Sequence, residues 1–244
     1  MANRYSSYIA QLKRICRDKK FILETIGHTG ENNDVPLFKV TLNQQSRSMK
    51  SVCFIGAVHG NETSGPVAPL TFLKRYLPKP GNPKITLIPV ANPTGYAADT
   101  YRDFKRRNYN RLFGKNKTID ETRALLDAAL VDKPHIFMSI HEDDVKSNCY
   151  LYGYNAASKS TELYRDILSA MEKHCPINHR PKIYKNKAQD GLILDPPSDG
   201  SFEDRIHQEK IPYSICLEIP DKISPKRRID TILAAMTTII DTAR

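Results

Sequence analysis

The chain has 244 residues, of which 40% are hydrophobic and 26% charged, and its formal net charge is +10. That length suits one domain, residues 1–244, with a core of its own; the balance of residue types excludes a disordered or fibrous protein, and no apolar run reaches the about 18 residues of a membrane span. The N-terminal stretch lacks the apolar segment of a secretory signal, and Cys16, Cys53, Cys149, Cys175 and Cys216 show no C-x-x-C spacing, which together predict reduced thiols and a cytoplasmic location.

Taken in order, residues 5–19 read as an amphipathic helix with Tyr5, Tyr8, Ile9, Leu12, Ile15 and Cys16 on one stripe. Strands follow at 21–26 and 36–42, separated by a turn-rich segment at 28–34. A buried strand at 52–58 leads to a helix at 67–76, which Pro78, Pro80 and Gly81 end. A strand at 84–90 opens a long basic connection over 92–116. A helix at 120–131 follows, with Asp120 or Thr118 as N-cap, and then strands at 135–140 and 148–154. A helix at 161–173, short strand at 182–184, strand at 212–219 and closing helix at 225–243 complete the chain. Strands alternating with helices predict an α/β fold: one mixed, mostly parallel twisted sheet with helices on both faces.

The positive charge, concentrated at 102–117, 182–187 and 226–228, asks for an anionic partner. Nucleic acid is the first candidate. No helix-turn-helix, RNP or zinc-finger spacing supports it, and the densest cluster alternates with Asn, Tyr and Phe in a way that suits a pocket for a small anion.

Four residues stand out for chemistry. His59 and Glu62 are three apart on a glycine-containing turn just past the strand at 52–58. In open α/β sheets, ligands bind at the carboxyl ends of strands. An imidazole and a carboxylate facing one point are two of the three protein ligands of a catalytic zinc; the plainer reading is a turn histidine beside a helix-start acid. His141 likewise sits just past a buried strand, where it is either a third ligand or a turn residue. One of the acids after it, Glu142, Asp143 or Asp144, could orient its ring. Glu218 interrupts an otherwise apolar strand, and a carboxylate there needs a partner or a task. Burial raises its pKa toward that of a general base; the alternative is an ion pair with a buried cation.

This set resembles the M14 zinc carboxypeptidases and their aspartoacylase and succinylglutamate desuccinylase relatives. Asn92-Pro93-Thr94-Gly95 resembles the family's N-P-x-G, and Asn108-Tyr109-Asn110-Arg111 its D-x-N-R, with Asn108 where an acid is usual. Ser139-Ile140-His141 and the segments at 200–202 and 211–218 resemble the strand of the third ligand and the final pocket-and-base region, the last being similar to short bacterial members that trim peptidoglycan-derived peptides. The resemblance implies a single Zn²⁺ per chain on His59, Glu62 and His141, Glu218 as general base, and Asn110 with Arg111 gripping a substrate carboxylate. It also implies an arginine steadying the oxyanion, for which Arg102 fits best and Arg106 or Arg107 remain open; Arg107 is otherwise a substrate-binding candidate. Glu203 or Asp204 could read a basic side chain or simply face solvent, residues 195–197 would form a stiff loop rim, and the family's pocket-mouth tyrosine has no match at 192–198. The implied activity is a metallocarboxypeptidase acting on short peptides. The alternatives are an N-acyl amino acid deacylase and a non-catalytic anion-binding protein.

Overall fold

The computed structural model describes residues 4–48, 50–154 and 160–244. Its centre is an eight-stranded sheet in the order β1-β2-β4-β3-β5-β10-β6-β9. These strands are β1 (Ile22–Thr29), β2 (Val35–Leu42), β3 (Ser51–Gly56), β4 (Lys84–Ile88), β5 (Ile136–Asp143), β6 (Tyr150–Tyr154), β9 (Leu192–Leu194) and β10 (Tyr213–Pro220). A separate two-stranded hairpin joins β7 (Lys182–Ile183) to β8 (Asn186–Lys187). The central strands β4, β3, β5 and β10 are all parallel; β1 and β2 run against their neighbours, and β6 is antiparallel to β10 but parallel to β9.

The central strands are apolar on both faces because both faces are covered. Along β3, Val52 and Phe54 join one core while Cys53 and Ile55 join the other. The first core is closed by helices α1 (Arg4–Lys19), α2 (Ser64–Arg75), α5 (Glu162–Glu172) and α7 (Pro225–Thr242). The second is closed by α4 (Asp120–Leu130) and α6 (Phe202–Gln208). In α1 the stripe Tyr5, Tyr8, Ile9, Leu12, Ile15 and Cys16 is buried as its spacing requires.

Several boundaries differ from expectation for local reasons. β3 stops at Gly56, because Ala57 turns the chain at a φ of 49°. The long basic connection holds a short helix, α3 (Pro93–Ala98), whose Asn92 side chain accepts from Gly95 N at 3.0 Å. At α4 neither Asp120 nor Thr118 caps: Ile119 is the N-cap residue, and its N–H donates to Thr122 Oγ1 at 3.0 Å. The expectation of five reduced thiols is corrected for two of them. Cys149 and Cys175 form a disulfide, whereas Cys16, Cys53 and Cys216 are free and buried. No helix among the described residues is long and apolar enough to cross a membrane.

Candidate metal centre and its pocket

The adjacent parallel strands β3 and β5 carry their chains to the same edge of the sheet. His59 and Glu62 lie in the turn after β3, and His141 lies near the end of β5. The turn is tightly seated: a Cβ on Gly60 would stand 2.0 Å from the Gly95 carbonyl carbon. The H-x-x-E turn and the N-P-x-G segment are therefore in backbone contact, which explains the glycine at 60; Gly95 is required separately, since its Cβ would stand 2.5 Å from Asn92 Nδ2 and 2.7 Å from the Arg102 carbonyl oxygen.

His59, Glu62 and His141 converge, all three buried. His59 Nδ1 is 2.7 Å from Glu62 Oε1, His141 Nδ1 is 3.1 Å from Glu62 Oε2, and the two Nδ1 atoms face each other at 3.2 Å. A tetrahedral zinc bound at about 2.0–2.2 Å separates neighbouring ligand atoms by roughly 3.3 Å, so the donor set fits a shared cation. Two further observations agree. Glu62 Oε2 is buried without a hydrogen bond, and two facing imidazole nitrogens have at most one proton to share unless a cation lies between them. Burial by itself would raise the Glu62 carboxyl, but His59 and His141 draw it down to about 2. Burial would lower the His141 pKa, yet Glu62 and Glu203 hold it well above the usual imidazole value.

The outer nitrogens of both rings have partners. His59 Nε2 lies 3.2 Å from Asn108 Oδ1, at the position where an acid was expected. His141 Nε2 lies 3.3 Å from Glu203 Oε1. The acids that follow His141 are used elsewhere. Glu142 accepts from Ser64 N and pairs with Arg228, tying α2 to α7. Asp143 accepts from the hydroxyls of Tyr150 and Tyr184. Glu203 and Asp204 do not face solvent: both are buried, and Asp204 accepts from Ser198, Gly200 and Gln208 to brace its own loop.

Glu218 is in register with His141 across the β5–β10 pair and reaches the same cavity, of about 610 Å³. No basic side chain pairs with it among the described ion pairs. Desolvation, reinforced by the charges of Glu62 and Asp143, raises its pKa to about 8.

The basic loop is where structure and sequence part. Arg102 is exposed, donates to the Arg106 carbonyl at 3.0 Å, and is not among the residues lining the cavity. Arg107 is turned away into pairs with the buried Asp103 at 2.6 Å and Glu121 at 3.8 Å. Arg106 is exposed and also outside the lining. The structure thus places both Arg102, the best match for the oxyanion arginine, and Arg107, the substrate-binding candidate, outside the cavity lining: Arg102 is held on the Arg106 carbonyl and Arg107 on Asp103. Among the described residues, Arg111 is the arginine that lines it, bonded to the Asn110 carbonyl at 2.8 Å and paired with Asp199 at 3.0 Å. Asn110 lines the cavity too, but its amide is engaged on both sides, accepting from Phe202 N and donating to Glu203 Oε2.

Although the segment at 192–198 offers no tyrosine, tyrosines from elsewhere in the chain furnish an aromatic wall. Tyr101 stacks on His59 with ring centroids 3.8 Å apart, and Tyr152, Tyr154 and Tyr184 line the same cavity. Tyr184 comes from the β7–β8 turn, at a φ of 51°. Pro196 and Pro197 contribute to the rim as expected. No sequence signal pointed to Tyr101 or Tyr184, because each reaches the cavity from a loop without periodicity.

The fold is that of the zinc carboxypeptidases. A candidate metallopeptidase from Shewanella amazonensis superposes with a TM-score of 0.84 at 22% identity, covering 96% of this chain and 91% of that one. A metallo-carboxypeptidase from Burkholderia cenocepacia gives 0.71 at 17% identity, covering 95% and 67%. Bovine thrombin-activatable fibrinolysis inhibitor gives 0.71 at 15%, covering 100% and 97%. At these identities the likeness is one of fold. More specifically, residues 48–165 match the succinylglutamate desuccinylase/aspartoacylase catalytic domain. The resemblance carried by the motifs is thus borne out in the fold and over the matched residues. No curated protein matches the sequence.

Proposed function

We propose that His59, Glu62 and His141 hold one zinc ion and that the chain hydrolyses the amide bond next to a free carboxylate, as a carboxypeptidase of short peptides. The observation that carries this reading is the meeting of two Nδ1 atoms and one carboxylate at edges of 2.7–3.2 Å, with Glu218 on the next strand. Zinc at such a site supplies a Lewis acid and lowers the pKa of a water to about 7. Glu218, raised to about 8, is matched to accept a proton from that water and return it to the leaving nitrogen. The Arg111 guanidinium, at the cavity's edge, offers a planar fork for the substrate's carboxylate. The aromatic wall packs against the substrate and limits access of bulk water.

A second reading, a deacylase of N-acyl amino acids, is favoured by the desuccinylase/aspartoacylase match. It uses the same metal and base and differs in what Arg111 grips. A panel of short peptides, N-acetyl and N-succinyl amino acids, assayed with and without a chelator, separates the two. Chelator-sensitive loss of the C-terminal residue supports the peptidase; turnover confined to acyl amino acids supports the deacylase. Retention of one equivalent of zinc by His59→Ala, measured by elemental analysis, would contradict the ligand assignment.

A further inference from the structure

Asn110 was expected in a carboxylate clamp, and Glu203, like Asp204, either as a reader of the substrate's side chain or facing solvent. The side chains of Asn110 and Glu203 meet each other instead. Asn110 Nδ2 lies 3.3 Å from Glu203 Oε2, and Asn110 Oδ1 accepts from Phe202 N at 2.9 Å. The other oxygen of Glu203, Oε1, lies 3.3 Å from His141 Nε2. The backbone around Glu203 is pinned as well, since its carbonyl accepts from the Ser214 hydroxyl at 2.8 Å. Glu203 is 1% exposed and Asn110 5%. Glu203 touches the cavity lining, yet each of its carboxylate oxygens is already engaged by a side chain of the protein.

We infer that Glu203 is a positioning residue for the metal centre: it holds His141 by Nε2, so that Nδ1 is the nitrogen turned toward Glu62 and His59, and Asn110 holds Glu203 in turn. This rests on the proposed metal site. The physical logic is that a histidine bound to a metal through one nitrogen donates the N–H of the other to a partner that fixes the tautomer and ring orientation, and a carboxylate is a strong partner for that N–H. His59 is anchored more weakly, by the neutral Asn108 amide at 3.2 Å. The two rings therefore differ in their anchors, a carboxylate for His141 and a neutral amide for His59. Glu203 belongs to α6 and His141 to β5, so the anchor also joins the second core to the metal centre. The same atoms allow a rival: His141, Glu203 and Cys216 themselves could surround a second cation, their ligand atoms lying within 4.8 Å of one another.

Zinc affinity decides it, measured by chelator competition on the whole chain, with the Tm of the metal-free protein as control. Loss of such an anchor weakens metal binding by about 10- to 100-fold. Glu203→Ala is expected to show that loss. Glu203→Gln, which keeps an acceptor for His141 and nearly the same shape, is expected to fall between Ala and wild type, and it serves alone if the Ala variant does not fold. Asn110→Ala is expected to lose less than Glu203→Ala, in the same direction. Zinc binding by Glu203→Gln within twofold of wild type, with a changed preference between basic and neutral terminal residues, would return Glu203 to substrate recognition and overturn the inference. Two zinc equivalents in wild type, one of them lost in both Glu203→Gln and Cys216→Ser, would make it a ligand and overturn it also. A wild type that binds no zinc overturns the metal site itself, and this inference with it.

Discussion

Glu218 shows how one side chain's surroundings set its role. In β10 it is flanked by apolar residues, desolvated, and near Glu62 and Asp143, so its proton is held up to about 8. Glu218→Gln should retain zinc and lose roughly 10²–10⁴-fold in kcat; kcat within tenfold of wild type would remove Glu218 as the base. The same shift has a stability consequence in chelated protein. The folded state binds the Glu218 proton more tightly than the unfolded chain, whose carboxyl titrates near 4.5. That stabilisation is complete below 4.5 and is lost as pH rises through about 8. Thermal melts of the metal-free protein should therefore show the Gln variant gaining on wild type between pH 5 and pH 9. Arg111 makes a different prediction. Charge-assisted hydrogen bonds contribute about 1.5–3 kcal/mol, so Arg111→Ala should raise KM for carboxylate substrates roughly 10- to 150-fold, with Glu218's pH profile unchanged.

At the scale of elements, the site depends on turns more than on helices or strands. The turn after β3 and the start of α3 press together so closely that Gly60 leaves 2.0 Å between a would-be Cβ and the Gly95 carbonyl carbon, and 2.3 Å to Tyr96 N. Backbone cannot yield as a side chain tip can, so Gly60→Ala should cost about 2–3 kcal/mol or more, seen as a lower denaturation midpoint, and displace His59. A midpoint equal to wild type would show that the two segments are not in contact. The strands and long helices were legible because their apolar periods are strong: β3, β4, β5, β10 and α7 fell within a few residues of expectation. What was missed, namely α3, α6, β8 and β9, is short. Such elements owe their form to caps and tertiary contacts: Asn92 caps α3, and Ser201 accepts from Asp204 N to cap α6.

For the molecule as a whole, the disulfide is the feature that composition hid. Cys149 precedes β6 and Cys175 follows α5, with 26 residues of sequence separation, so the bond ties the loop and helix between them back to the sheet. By loop entropy such a closure contributes roughly 3–4 kcal/mol. Reductant should lower the Tm, and Cys149→Ser should reproduce the shift; an unchanged Tm in both would show the two sulfurs are not bonded. The net charge of +10 is likewise distributed differently from expectation. Asp103 and Asp199 pair with Arg107 and Arg111, while Arg102, Lys105 and Arg106 point outward. The basic loop thus presents one guanidinium to the cavity instead of several.

By itself the sequence determined the layered α/β arrangement and marked His59, Glu62, His141 and Glu218 as candidates near the ends of buried strands; that β3, β5 and β10 are neighbours, so that the four side chains meet, was decided by the sheet order. Only the tertiary structure decided which arginine faces the cavity, that Glu203 and Asn110 brace His141, and that Tyr101 and Tyr184 wall the site. Those side chains sit on loops and turns, where direction is set by contacts between distant segments and leaves no periodic trace in the chain.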